Sequence, residues 1–160
     1  MQVGTVEPRK NVQLVADAAE SLGIPCLLAG AGSTGPHAPR NSRGLGYVDV
    51  EDLPALYAAA TVTAYASRYE GYGLPPVEAM ASGGAVVASA VGALPDVVGD
   101  GAVLVASENV DDWVHAMKPI AFDADARAAL VGAAADASRE ISWRRTAELT
   151  ADAYRAAGVV

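Results

Sequence analysis

A chain of 160 residues with 52% hydrophobic content is about the size of one domain and can bury a core of its own. Its net charge of -8 opposes nucleic acid and anionic membrane. A phosphate-bearing ligand must therefore meet local cations, and before residue 118 these are only Arg9, Lys10, Arg40, Arg43 and Arg68.

The chain enters a strand at once, over Gln2 to Thr5. Asn11 to Leu22 then carries Val12, Val15, Ala18, Ala19 and Leu22 on one helical face and stops at Gly23. Ile24 to Ala29 is the next strand, and it contains Cys26, the single cysteine, which cannot form an internal disulfide and fits a reducing compartment. With no basic-then-apolar leader and no apolar run near 18 residues, neither secretion nor a transmembrane segment is indicated, and the expected location is cytoplasmic. Leu53 to Ala60 reads as a short helix, Thr61 to Ala66 as a buried strand, Pro75 to Ser82 as a helix, Ala85 to Ala88 as a strand, and Ala102 to Val105 as the strand that closes the sheet. Three helices follow, from Asn109, with Asn109 and Asp112 spaced like a capping box, from about Asp123, and after Ser142. Alternation of this kind, with fully apolar strands, predicts an α/β fold with a Rossmann-like, doubly wound parallel sheet whose ligands bind at the carboxyl ends of the strands.

Gly30-Ala31-Gly32-Ser33-Thr34-Gly35 matches the G-x-G-x-x-G fingerprint of an NAD(P)-binding domain, with Asp49 and Glu51 about twenty residues on. A true fingerprint opens a helix, and Pro36 and Pro39 leave no room for one before Gly44. A loop leaving a strand end is the better reading.

The most informative stretch is Ser67-Arg68-Tyr69-Glu70-Gly71-Tyr72-Gly73-Leu74-Pro75-Pro76-Val77-Glu78, an E-x7-E spacing across a glycine loop and two prolines. It reads as a strand end, a tight loop and a helix start. The helix N-terminus suits a phosphate, and Glu78, one turn further in, can grip hydroxyls beside it.

Here the sequence resembles the retaining glycosyltransferases of the two-domain GT-B architecture. Ser67 to Gly83 is similar to their S-x-x-E-G-F-G-L-P-x-x-E-A-M-A-x-G segment, with Tyr72 in the aromatic slot. Val3 to Asn11 resembles their V-G-x-x-x-P-x-K-N phosphate loop, Val87 to Gly99 their V-x-x-S-x-x-G-x-x-P-E-x-x-x-G stretch, and Ser142-Trp143 their F-S-W helix opening. The resemblance covers nearly the whole chain and implies residues 1–160 as the donor-binding, C-terminal half of such an enzyme. An acceptor domain or equivalent subunit is the implied missing partner, and the isolated chain is expected to transfer little or no sugar. The nucleotide sugar is the substrate and no cofactor or metal is implied.

By that resemblance Lys10, with Arg9, binds the diphosphate beside Gly4 and Thr5, assisted by the loop at Gly71 and the backbone amides of Gly73 and Leu74. Tyr47 and Val48 wall the base, Glu78 accepts from the ribose, and Glu70 holds hydroxyls of the transferred sugar. Orientation is favoured over nucleophilic attack for Glu70. The branch sharing V-G-T-x-x-P-R-K-N implies GDP-mannose as the preferred donor, with a UDP-sugar as the alternative. A non-catalytic nucleotide-sugar sensor or pseudoenzyme would keep the same residues.

The chain departs from the family in lacking a helix between Gly35 and Arg43, and in carrying Thr5 where many relatives have an arginine. Arg9 is read either as a diphosphate ligand or as an arginine pointing to water, as arginines before helices commonly do. Asp123-Ala124-Asp125 mimics a D-x-D metal motif, although its place before a helix makes capping the simpler account. His37 and His115 have no metal-ligand partners at suitable spacing and read as surface residues.

Overall fold

The structure, a computed structural model, describes residues 1–158. Six strands alternate with helices: β1 (Gln2–Val3), α1 (Val12–Ser21), β2 (Cys26–Ala29), β3 (Ser42–Gly46), α2 (Leu53–Ala59), β4 (Thr63–Tyr65), α3 (Leu74–Ala81), β5 (Val86–Ser89), α4 (Leu94–Val98) and β6 (Ala102–Val105). Three helices complete the described chain, α5 (Val110–Phe122), α6 (Ala124–Arg139) and α7 (Trp143–Ala156). All strand pairs are parallel, β1 with β2, β2 with β3, β4 with β5 and β5 with β6. Met1 joins the two triplets, because its nitrogen donates to Val62 O (2.7 Å) and its carbonyl accepts from Ala64 N (2.9 Å). The resulting order is 3-2-1-4-5-6, with the switch of direction between β1 and β4, where open α/β sheets bind ligands.

Period-two alternation sends neighbouring strand residues to opposite faces. Leu28, Ala64 and Val87 join Val15, Ala18, Trp113 and Met117 under α1 and α5. Ala29, Tyr65 and Ala88 join Tyr57, Met80, Leu94 and Ala134 under α2, α3, α4 and α6. Trp113 is fully buried and its Nε1 donates to Ser107 O at 2.8 Å, so the one polar atom of this side chain keeps a partner.

The predicted strands and helices are present with ends displaced by one or two residues. Two elements were not anticipated. Ser-Arg-Gly-Leu-Gly has no alternation to announce β3, which exists by pairing along β2 at the sheet edge. The five-residue α4 is too short to display a period. Between β2 and β3 no helix forms, and Ser33, buried in the loop, accepts from Gly46 N through its Oγ (3.1 Å). The glycine fingerprint therefore opens a loop folded back on β3, as its prolines required. Asn109 caps α5 by accepting from Asp111 N (2.8 Å), and Asp123 caps α6 by accepting from Asp125 N and Ala126 N (2.9 and 3.1 Å). The D-x-D motif thus has a capping role for its first aspartate. No helix among the described residues is long and apolar enough to cross a membrane.

Candidate active site

The β1–α1 and β4–α3 loops leave adjacent strands at the carboxyl rim, and their backbones are tied by Arg68 N donating to Arg9 O (2.8 Å). In the first loop a single 3-10 turn, Pro8–Lys10, ends on Asn11 in the left-handed region (φ 45°), and the chain then enters α1. Lys10 lies back over Gly4, so closely that a Cβ on Gly4 would overlap its Nζ. Gly4 also has φ +126°, a conformation L side chains rarely adopt, and it is this backbone that calls for glycine, since the lysine tip could swing aside. Lys10 makes no ion pair among the described residues.

Arg9 turns to the other loop. Its NH1 donates to Tyr69 O (2.7 Å) and lies 3.2 Å from Glu70 Oε2, while NH2 pairs with Glu7 Oε1 at 2.7 Å. The hydrogen bond that the guanidinium donates to Glu7, and to a smaller degree the charge of Glu70, hold its pKa above the ordinary value. Glu70 is fixed from its other side by Ser67, whose Oγ donates to Oε1 at 2.8 Å. Arg68 clamps the same junction, with NH1 on Pro8 O (2.8 Å), NH2 on Asn11 Oδ1 (3.2 Å) and Nε on Glu108 Oε2 (3.0 Å). Gly73 precedes α3 in the left-handed region, and Gly71 and Leu74 are exposed at the loop and helix start.

Glu78, in α3, accepts from Tyr57 Oη of α2 at 3.3 Å. Burial, with a smaller contribution from the charge of Glu78, pushes the Tyr57 hydroxyl up to about 12, so it remains a donor throughout the neutral range. Tyr65 Oη lies buried on the same face with no hydrogen-bond partner among the described residues, and burial raises it well above the ordinary tyrosine value. The sign of the linkage follows: between pH 10 and 12 the unfolded chain loses the Tyr57 proton first, so stability falls as pH rises through that window. By pH 11 about half of that effect has developed, and Tyr57 alone is expected to contribute on the order of 1 kcal/mol to the fall. Urea midpoints at pH 8 and 11 measure it, and Tyr57→Phe should flatten the dependence.

Gly4, Thr5, Tyr47 and Val48 line one groove of about 280 Å³ with Val3, Gly30, Val50 and Leu53. Tyr47 is 83% exposed, so its ring presents an open face at the mouth. The sequence-predicted residues thus fall into separate sets: Gly4, Thr5, Tyr47 and Val48 share this groove and Lys10 lies over Gly4, Arg9 meets Glu70 across the two loops, and Glu78 pairs with Tyr57, with no hydrogen bond or ion pair joining Lys10, Glu70 and Glu78 among the described residues. Tyr57, Ser67 and Gly92 have no role legible in sequence; Gly92 sits against the Glu70 carbonyl. A slightly larger apolar cavity of about 300 Å³ lies at the opposite end of the strands, among Met1, Ile24, Cys26 and Ala60, with no lysine or arginine in its lining.

The Glycosyl transferases group 1 family matches residues 1–136 of this sequence. The chain belongs to that family. It is 38% identical to the O-antigen chain mannosyltransferase B of Escherichia coli over 173 residues, which span 97% of this chain and 45% of that protein. With the D-inositol 3-phosphate glycosyltransferase of a Nocardioides species it shares 39% over 150 residues, 92% of this chain and 31% of the relative. The chain therefore spans less than half the length of these glycosyltransferases. Sucrose-phosphate synthase from Thermosynechococcus elongatus superposes with a TM-score of 0.80 at 25% identity, over 96% of this chain and 44% of that one. The C-terminal domain of a group 1 family protein from Francisella tularensis gives 0.69 at 23% identity, over 85% of this chain and 82% of that domain. This group 1 chain accordingly has the Rossmann-like fold of a GT-B domain.

Proposed function

We propose that the chain is the donor-binding domain of a retaining glycosyltransferase and holds a nucleoside diphosphate sugar at the carboxyl rim of the sheet. The observation that carries this reading is Lys10, unpaired among the described residues, lying over Gly4 beside the loop that bears Glu70. When the anomeric C–O bond breaks, negative charge grows on the β-phosphate and the sugar becomes oxocarbenium-like. A cation and aimed N–H groups stabilise the first, here Lys10 and the amides of Gly73 and Leu74. Glu70 orients the sugar hydroxyls, and Glu78 accepts from the ribose with its carboxylate steadied by Tyr57. The base lies in the groove of Tyr47 and Val48.

GDP-mannose is the donor this reading favours, supported by V-G-T-x-x-P-R-K-N and by the name of the Escherichia coli relative. An acceptor-binding half, in the same protein or in another subunit, completes the cleft. Titration calorimetry of the chain with GDP, UDP and ADP tests the reading. One nucleotide is expected to bind, and Glu78→Ala should weaken it about 10-fold by removing a charged acceptor. No heat from any of the three at millimolar concentration would overturn it.

A further inference from the structure

We propose that Arg9 is a positioning residue for Glu70 and not a ligand of the diphosphate, an assignment that builds on the nucleotide-sugar reading above. Lys10 and Arg9 are adjacent in a 3-10 turn, where successive side chains diverge by about 120°. Their surroundings differ accordingly. Lys10 rests over Gly4, whereas the Arg9 guanidinium is already shared among Glu7, Glu70 and the carbonyl of Tyr69. One positive charge between two carboxylates leaves that cluster net negative, so a diphosphate approaching Arg9 would meet repulsion and two competing acceptors. Lys10 offers it neither.

The same contacts have a positive use. Arg9 and Ser67 hold opposite oxygens of the Glu70 carboxylate, at 3.2 and 2.8 Å, and Arg9 also fastens the preceding carbonyl. The side chain is only 16% exposed. A carboxylate has about four lone-pair sites, so each oxygen can still accept from a sugar hydroxyl after these two bonds are made. The geometry of Glu70 is therefore set before the sugar arrives, by a guanidinium fork from the phosphate loop whose NH1 holds Tyr69 O and Glu70 while its NH2 is anchored on Glu7. Lysine could keep the charge at residue 9 but not the fork.

The test measures binding of GDP and of GDP-mannose to the wild-type chain and to Arg9→Met, Arg9→Lys and Lys10→Ala, with amide hydrogen exchange of residues 67–73 followed in each without ligand. Arg9 is 40% exposed, so its replacement leaves the core untouched. Arg9→Met is expected to keep GDP affinity within about 3-fold while the ratio of GDP-mannose to GDP affinity falls about 10-fold, the loss of one charged hydrogen bond. Exchange across 67–73 should accelerate in both Arg9 variants and not in Lys10→Ala, and Arg9→Lys should likewise keep GDP binding while losing the sugar ratio. The assignment is overturned if Arg9→Met weakens GDP as much as Lys10→Ala does, if exchange is unchanged, or if Arg9→Lys keeps the wild-type sugar ratio. Should the wild-type chain bind neither GDP nor GDP-mannose, with UDP and UDP-glucose also silent, the nucleotide reading fails. The exchange of 67–73 then still decides whether Arg9 holds the Glu70 loop.

Discussion

Lys10→Ala is expected to weaken binding of the nucleoside diphosphate roughly 10- to 150-fold, the range given by one hydrogen bond to a charged group. Arg9 and Arg68 are held in bonds to Glu7, Glu70, Glu108 and main-chain carbonyls, so neither can easily substitute for the missing ammonium. Thr5 adds no charge where many relatives place an arginine, which concentrates the dependence on Lys10. In a complete two-domain enzyme the effect on transfer should be larger, about 100- to 1,000-fold in turnover, because the β-phosphate is more negative in the transition state than in the bound donor. Calorimetry supplies the affinity and a thermal melt supplies the control. The melting temperature should barely change, since Lys10 makes no ion pair among the described residues. An unchanged dissociation constant would place the diphosphate elsewhere.

The sheet could be read from the sequence because its strands are apolar on both faces. Cys-Leu-Leu-Ala, Thr-Ala-Tyr and Val-Val-Ala-Ser are short, largely apolar and free of charged residues. β3 lacked that signal, since an edge strand of Ser-Arg-Gly-Leu-Gly is specified by its neighbour and by the loop laid across it. Lys10, Glu70 and Glu78 were legible as candidates because each lies in a loop or the first two turns of a helix after a strand end. Their partners were not. Tyr57 and Glu78 are 21 positions apart on different helices, and Arg9 reaches Tyr69 O across 60. The first needs α2 and α3 packed side by side and the second needs β1 against β4, arrangements that no local pattern encodes. Arg9 was consequently grouped with Lys10 from its place in the sequence, although its contacts belong to Glu70.

Gly92 is the second position where a small change should have a large consequence. It lies in the turn from β5 to α4, where Val91 N donates to Ser89 O (2.9 Å) and Leu94 N donates to Val91 O (3.1 Å), leaving little freedom on either side. Its φ is +56°, and a Cβ added there would overlap the carbonyl oxygen of Glu70 and stand 3.1 Å from the carbonyl carbon. Gly92→Ala therefore meets two penalties, about 1–2 kcal/mol for an L residue in the left-handed region and about 1–3 kcal/mol for an overlap with backbone that cannot rotate aside. If the turn holds, the sum of roughly 2–5 kcal/mol appears as a fall in urea midpoint and a melting temperature lower by about 5–15 °C. If the Glu70 loop gives way instead, less stability is lost, but the carboxylate leaves the fork of Arg9 and the hydroxyl of Ser67, and affinity for the sugar portion of the donor falls. Denaturation and GDP-mannose titration on one preparation separate the two responses. A variant unchanged in both would mean that Gly92 does not support Glu70. The carboxylate would then depend on Ser67 and Arg9 alone, and Arg9→Met should be the more damaging substitution.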